Sequence, residues 1–175
     1  MIWYFAYGSN MQRETFCGRR GIVCERAVPV RVPGWRVVFD KPPLLPIGEA
    51  FANLVPDPAA TAIGVAYAVS ADDLAHIELT EGVAIGNYRR VTIPVEPLAA
   101  VSDGPCEAAS LSSDRRDGSL RPSTRYMGLI IAGALEHGLP EPWLAFLRGV
   151  PTGAESALAS ATRPLLDAFM RRRDR

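Results

Sequence analysis

A carboxylate stands where the chain's own periodicity asks for an apolar residue. Helical pattern begins at Ser70, with Leu74 and Ile77 as its apolar stripe. Position 81 comes next on the same face by i, i+3, i+4 spacing, and the residue there is Glu81. It falls at the helix C-terminal end, where the dipole disfavours negative charge. Partial burial and the dipole both bear against the ionised form, a setting suited to a group that accepts and then returns a proton. The residues alone support an equal alternative, in which the helix frays at Gly82 and Glu81 turns into solvent. Glu78 is one position off the stripe and is the lesser candidate.

The second candidate lies at the start of the chain. Tyr4–Phe5–Ala6–Tyr7–Gly8–Ser9–Asn10 runs a short aromatic strand into a turn of small residues. Successive backbone N–H groups just past a strand end form a concave array that can hold a carboxylate or an oxyanion without a charged side chain. The plainer reading is a first strand and its turn, with Ser9 and Asn10 capping the next element, and the motif by itself favours that. Ser9 as a nucleophile has little support. No G-x-S-x-G surrounds it, and only His76 and His137 could act as its base.

What is scarce excludes more. The 175 residues carry 19 basic and 19 acidic side chains, so the formal net charge is zero and no electrostatic footprint for nucleic acid exists. No apolar run is long enough to span a bilayer, so no membrane partner is expected. The start has no basic residue before its apolar stretch and meets Gly8 at once, which argues against a signal peptide and for the cytoplasm. With two histidines, three cysteines and no C-x-x-C or H-x-x-x-H pair, a zinc site is not expected. Cys17, Cys24 and Cys106 are an odd number, which predicts small buried thiols rather than a disulfide. The only lysine, Lys41, precedes Pro42–Pro43 and belongs to no P-loop, and no dinucleotide fingerprint comes after a strand. No cofactor is expected.

The elements that position these residues read as strands first and helices later. Trp3–Tyr7, Gly21–Val32, Trp35–Phe39, Tyr88–Val95 and Cys106–Leu111 are strand-like. Pro33–Gly34 reads as a turn and Pro29 as an edge or bulge signal. Ala50–Val55 and Ala62–Val69, separated by Pro56–Asp57–Pro58, predict a hairpin. Ser70 is a plausible N-cap and Gly82 a plausible C′ residue for the first helix. Further helices are expected from Pro122 to Gly138, over Glu141–Arg148 and over Ala154–Arg171, the last interrupted at Pro164. His76, His137 and the three tryptophans read as structural, and Arg171–Arg175 as a solvated charge run. Length and pattern predict one α+β domain over residues 1–175.

Four segments, in order, resemble the γ-glutamylcyclotransferase family. They are Tyr4-Phe-Ala-Tyr-Gly-Ser-Asn-Met11; Gly48 to Pro58 with Ile63-Gly-Val-Ala-Tyr67 after it; Leu79-Thr-Glu81-Gly82-Val83 with Tyr88 after it; and Pro122-Ser-Thr-Arg-Tyr126 continuing to Gly138-Leu-Pro140. The resemblance covers residues 2 to about 150, leaving 151–175 as a C-terminal helical extension. It implies a mixed β-barrel with packed helices and a small-molecule γ-glutamyl substrate closing to 5-oxoproline, a reaction of the lyase or acyltransferase type. It assigns Glu81 as the acid–base residue and the Tyr4–Asn10 segment, including Phe5 and Ala6, to substrate binding. Tyr88 lines the pocket and Tyr126 contacts the substrate in that assignment. Some relatives carry a pocket tyrosine on the strand after the catalytic segment. Cys106–Leu111 has no aromatic, which implies a roomier leaving-group pocket. A non-catalytic binding module of the same fold, a hydrolase or transferase using Ser9, and a homodimer as the assembly all stay open.

Overall fold

The computed structural model describes residues 1–46 and 48–171, so most of the terminal arginine run lies outside the described residues. Strand β1 (Ile2–Ala6) is followed by a 3-10 turn, Ser9–Met11, and a π-helical segment, Glu14–Arg19. Two long strands come next, β2 (Arg26–Lys41) and β3 (Phe51–Val69), then helix α1 (Ala71–Thr80). Strands β4 (Arg89–Pro94), β5 (Glu96–Pro97) and β6 (Glu107–Ser112) precede helices α2 (Thr124–Glu136), α3 (Glu141–Arg148) and α4 (Ala157–Met170).

The six strands form one mixed, curled sheet in the order β4-β6-β1-β3-β2-β5, a half-barrel with helices packed on it. The aromatic run of β1 sits in the middle, antiparallel to β3 and parallel to β6. That central place is why Tyr4, Phe5 and Ala6 are all buried although a strand sends alternate side chains to opposite faces.

The hairpin differs from the sequence expectation. β2 and β3 pair with each other along nearly their whole length, from Arg26↔Ala68 to Lys41↔Phe51. Pro33–Gly34 and Pro56–Asp57–Pro58 are therefore not turns. They meet each other across the ladder as one irregularity, with register lost between Pro33 and Trp35. Prolines cannot donate to a ladder and Gly34 has φ +81°, so both strands bulge there and continue. Arg36 clamps Asp57 at 2.6 Å, and the Asp57 carboxylate accepts from Ala59 N–H. Pro29 is neither at the free edge nor a bulge. Its neighbour on the outer side is the two-residue β5, and its carbonyl accepts from Leu98 N–H just beyond that strand.

Two further expectations fail locally. Cys17 and Cys24 form a disulfide, because the π-helical segment turns the chain back and brings their Cα atoms to 6.2 Å; counting cysteines holds no such geometry. Cys106 is a free, exposed thiol. Helix α4 runs through Pro164 without interruption. Only one donor is lost, and the Ser160 turn that misses it faces solvent.

Candidate active site

Helix α1 delivers Glu81 as its periodicity requires. Ser70 caps the start by accepting from Asp73 N–H, and Leu74 and Ile77 are buried beneath it. Glu81 is the C-cap, and Gly82 takes the left-handed conformation (φ +74°) that ends the helix. Asn87 secures this end from the next turn, its Nδ2 donating 2.9 Å to the Glu81 carbonyl. The Glu81 side chain is 21% exposed and faces a cavity of about 300 Å³. Glu78 points elsewhere and pairs with Arg90.

The Tyr7–Ser9 turn lines the same cavity. Ladder pairing of β1 with β3 ends at Ala6↔Val65, so Tyr7, Gly8 and Ser9 lie past the sheet, and the chain bends into the 3-10 turn through Met11 N–H to Gly8 carbonyl. Strand alternation sorts the rest of the segment. Tyr4 and Ala6 line the cavity, whereas Phe5 goes to the other face, where it is fully buried among core side chains with its carbonyl accepting from Ser110 Oγ. Phe5 is thus core, contrary to the role carried by the resemblance. Asn10 reaches Tyr4 Oη (3.4 Å) and Glu81 Oε1 (3.5 Å) with one amide nitrogen.

Tyr88 and Tyr126, 38 residues apart in the chain, meet at one peptide. The Tyr88 hydroxyl donates 3.0 Å to the Ala52 carbonyl, and Ala52 N–H donates 3.2 Å to Tyr126 Oη. The first residues of β3 therefore set both phenols against the turn. A side chain at position 8 would meet Tyr126 Oη at 3.2 Å, so Gly8 is the residue that lets this hydroxyl close in. Burial pushes all four cavity phenols up, Tyr126 to about 12, and the Glu81 charge adds to the rise. Each stays a neutral donor at physiological pH.

Three features went unseen in the sequence. Arg20, only 4% exposed, pairs its guanidinium with Glu81 and donates 2.7 Å to Thr80 Oγ1. The carboxylate thus has a cation partner supplied by the segment between the two disulfide cysteines. Lys41, although two prolines come directly after it, ends β2 and is buried at 2% exposure, donating to Asn87 Oδ1 with its ammonium 4.5 Å from the centre of the Tyr88 ring. Helix α4 is a wall of the site, contributing Arg163, Leu166, Asp167 and Met170. It is tied down by Arg19 to Asp167, by His76 to the Met170 carbonyl and by Ser156 N–H to Glu49. His137 caps α2 and bonds Tyr67 Oη at 2.7 Å, which keeps it structural. Among the described residues no group of three His, Cys, Asp or Glu side chains is placed to hold a metal, and no helix is long and apolar enough to cross a membrane.

Burial, with Arg115 nearby, lowers Lys41 from its ordinary 10.5 to about 8, the Glu81 charge opposing the shift. Between those values the unfolded chain holds a proton that the folded chain has lost, so this lysine makes stability rise with pH, by at most about 1.4 kcal/mol per unit. Below pH 8 the whole penalty for burying the cation is present. Lys41→Met is therefore expected to be more stable than the parent at pH 7, with the difference shrinking toward pH 10. Denaturant unfolding of both proteins across that range checks it, and a pH-independent difference would contradict it.

Residues 62–147 match the AIG2-like family. Gamma-glutamyl cyclotransferase aclK of Aspergillus oryzae is 30% identical over 167 residues, covering 85% of this chain but 60% of its own length. Gamma-glutamylcyclotransferase of Bos taurus is 26% identical over 147 residues, or 78% of this chain and 72% of the bovine one. A solved gamma-glutamyl cyclotransferase structure shares the fold with a TM-score of 0.74 at 21% identity, over 94% of this chain and 98% of that one. An uncharacterized protein from Homo sapiens superimposes similarly, with a TM-score of 0.73 at 23% identity over 91% and 96%. The four segments in register on this half-barrel, the AIG2-like match and the gamma-glutamyl cyclotransferase relatives together support the γ-glutamylcyclotransferase family for this chain.

Proposed function

We propose that the protein converts a γ-glutamyl amine or γ-glutamyl amino acid into 5-oxoproline and the free amine, with no cofactor. One observation carries this reading: a carboxylate, a turn of backbone amides and two phenols from three distant segments converge on a single cavity. The substrate's α-amine attacks its own γ-carbonyl. The new C–N bond closes the ring, the bond to the leaving nitrogen breaks, and the amine's proton passes through Glu81 to that nitrogen. Both reacting groups belong to one molecule, so catalysis consists largely of holding it in the cyclising conformer. The Tyr7–Ser9 amides and the Tyr126 hydroxyl provide donors for the glutamyl oxygens, while Arg20 and Asn10 fix the Glu81 carboxylate from behind.

A panel of γ-glutamyl amines and amino acids, assayed for 5-oxoproline and released amine, tests the reading; no product from any of them would overturn it. Ser9 does not act as a nucleophile in this scheme. No imidazole serves it, since His76 is held on Met170 and His137 on Tyr67. Ser9→Ala, which keeps the backbone N–H, is accordingly expected to retain turnover within about tenfold, the hydroxyl contributing one hydrogen bond at most. Complete loss on that substitution would favour the covalent alternative.

A further inference from the structure

Five basic side chains line the cavity, and three of them have a carboxylate. Arg20 pairs with Glu81, Arg19 with Asp167 and Arg163 with Glu155. Among the described residues no acidic group lies within ion-pair distance of Lys41 or Arg125. Arg125 is half-buried, as Arg19 and Arg163 are, where solvent can serve it, whereas Lys41 is the deepest of the five at 2% exposure. Burying a cation without a counter-ion is costly, and neutral partners offset only part of that cost. The neutral partners here are poor. The Asn87 amide oxygen is shared between Lys41 Nζ and Arg115, whose guanidinium donates to it at 2.8 Å and to the Pro43 carbonyl at 3.2 Å. The Tyr88 ring face supplies the rest. Two cations thus converge on one amide oxygen at the cavity wall with no anion between them. The same Asn87 side chain holds the Glu81 carbonyl, so this corner adjoins the carboxylate end of α1.

We infer that Lys41, backed by Arg115, is a seat for a carboxylate of the substrate, the missing anion of this corner. The inference rests on the proposed reaction, whose substrates bring such a group in two places, on the glutamyl α-carbon and, for γ-glutamyl amino acids, on the leaving group. Lys41 is here a binding residue and takes no part in proton transfer. A bound carboxylate would relieve the unpaired ammonium and hold it charged, and the aromatic face of Tyr88 would fix the direction from which it is reached.

Lys41 is the chain's only lysine, so labelling lysine with 13C at Cε gives a single signal whose titration midpoint reads the ammonium's surroundings. In the Glu81→Gln protein, γ-glutamyl-L-alanine is expected to raise that midpoint by about one pH unit, a tenfold gain in proton affinity. 5-Oxoproline retains only the glutamyl carboxylate and L-alanine only that of the leaving group, so whichever reproduces the shift names the source. In the otherwise unaltered enzyme, Lys41→Met is expected to raise KM on the order of ten- to hundredfold with kcat little changed, and Lys41→Arg to recover part of it. A midpoint unmoved by all three compounds, or a Lys41→Met protein with the parent's KM, would overturn the seat. Failure of the parent to form 5-oxoproline is a separate result. It removes the proposed reaction and leaves the lysine signal to decide whether carboxylates bind.

Discussion

Glu81→Gln is expected to lower 5-oxoproline formation by on the order of 10²–10⁴, the usual cost of losing a positioned general base. The amide has the shape of the carboxylate and can keep the contact with Asn10, so the cavity stays formed. It cannot take the proton from the attacking amine or return it to the leaving nitrogen. The substitution also removes the charge paired with Arg20, a buried guanidinium whose Nε has no acceptor of its own. Stripping one member from a wholly buried pair costs several kcal/mol, but Glu81 keeps 21% exposure, so about 1–2 kcal/mol is the expected loss of stability. Adding Arg20→Met should restore stability by removing the orphaned cation, without restoring turnover. That double variant separates the chemical role from the structural one. Glu78→Gln, whose side chain pairs with Arg90 and does not line the cavity, should change the rate less than about twofold, since it holds no group of the site. Parent-like turnover by the Glu81→Gln protein would exclude proton transfer through this residue.

Glu81 was legible in the sequence because the information needed is local. A stripe at 74 and 77, a cap at 70 and a glycine at 82 fix a helix and its face within thirteen residues. Its cation partner was not, since Arg20 lies on an irregular segment 61 positions away and no period announces it. Lys41 misled for the opposite reason. Its proline neighbours suggest a loop, yet it is the last residue of a strand, and its burial is set by Asn87, Tyr88 and Arg115 from elsewhere in the chain. The prolines at 33, 56 and 58 were read as chain reversals because each breaks a ladder. In the structure they break it opposite one another, so the two faults merge into one bulge and the strands run on. Phe5 lost its binding role to the period of two, which the motif ignores. The extension after residue 151 had no expected task, and only its docking onto the cavity gave it one.

The last expected result concerns how α2 brings Tyr126 to the turn, and it turns on two glycines of that helix. Helix α2 packs directly on the Ser9–Met11 turn. At Gly133 a Cβ would stand 2.5 Å from Gln12 N and 2.7 Å from Met11 carbonyl carbon, and at Gly128 it would meet nothing within 4 Å. Alanine is the better helix former at both places, by about 0.5–1 kcal/mol. Gly128→Ala should therefore stabilise the protein by about that amount and leave turnover unchanged. Gly133→Ala meets backbone, which no rotamer change can clear, so either α2 or the turn must retreat by the order of an ångström. Overpacking of this kind typically costs about 1–3 kcal/mol and here outweighs the gain in propensity. The retreat would also draw Tyr126 Oη from Ala52 N–H, so activity should fall on the order of 10²-fold, the scale set by a small misplacement of binding groups. Thermal melts and turnover of the two variants, made side by side, give opposite signs if close packing of α2 on the turn sets the site. Equal effects would mean that helix propensity alone is being read.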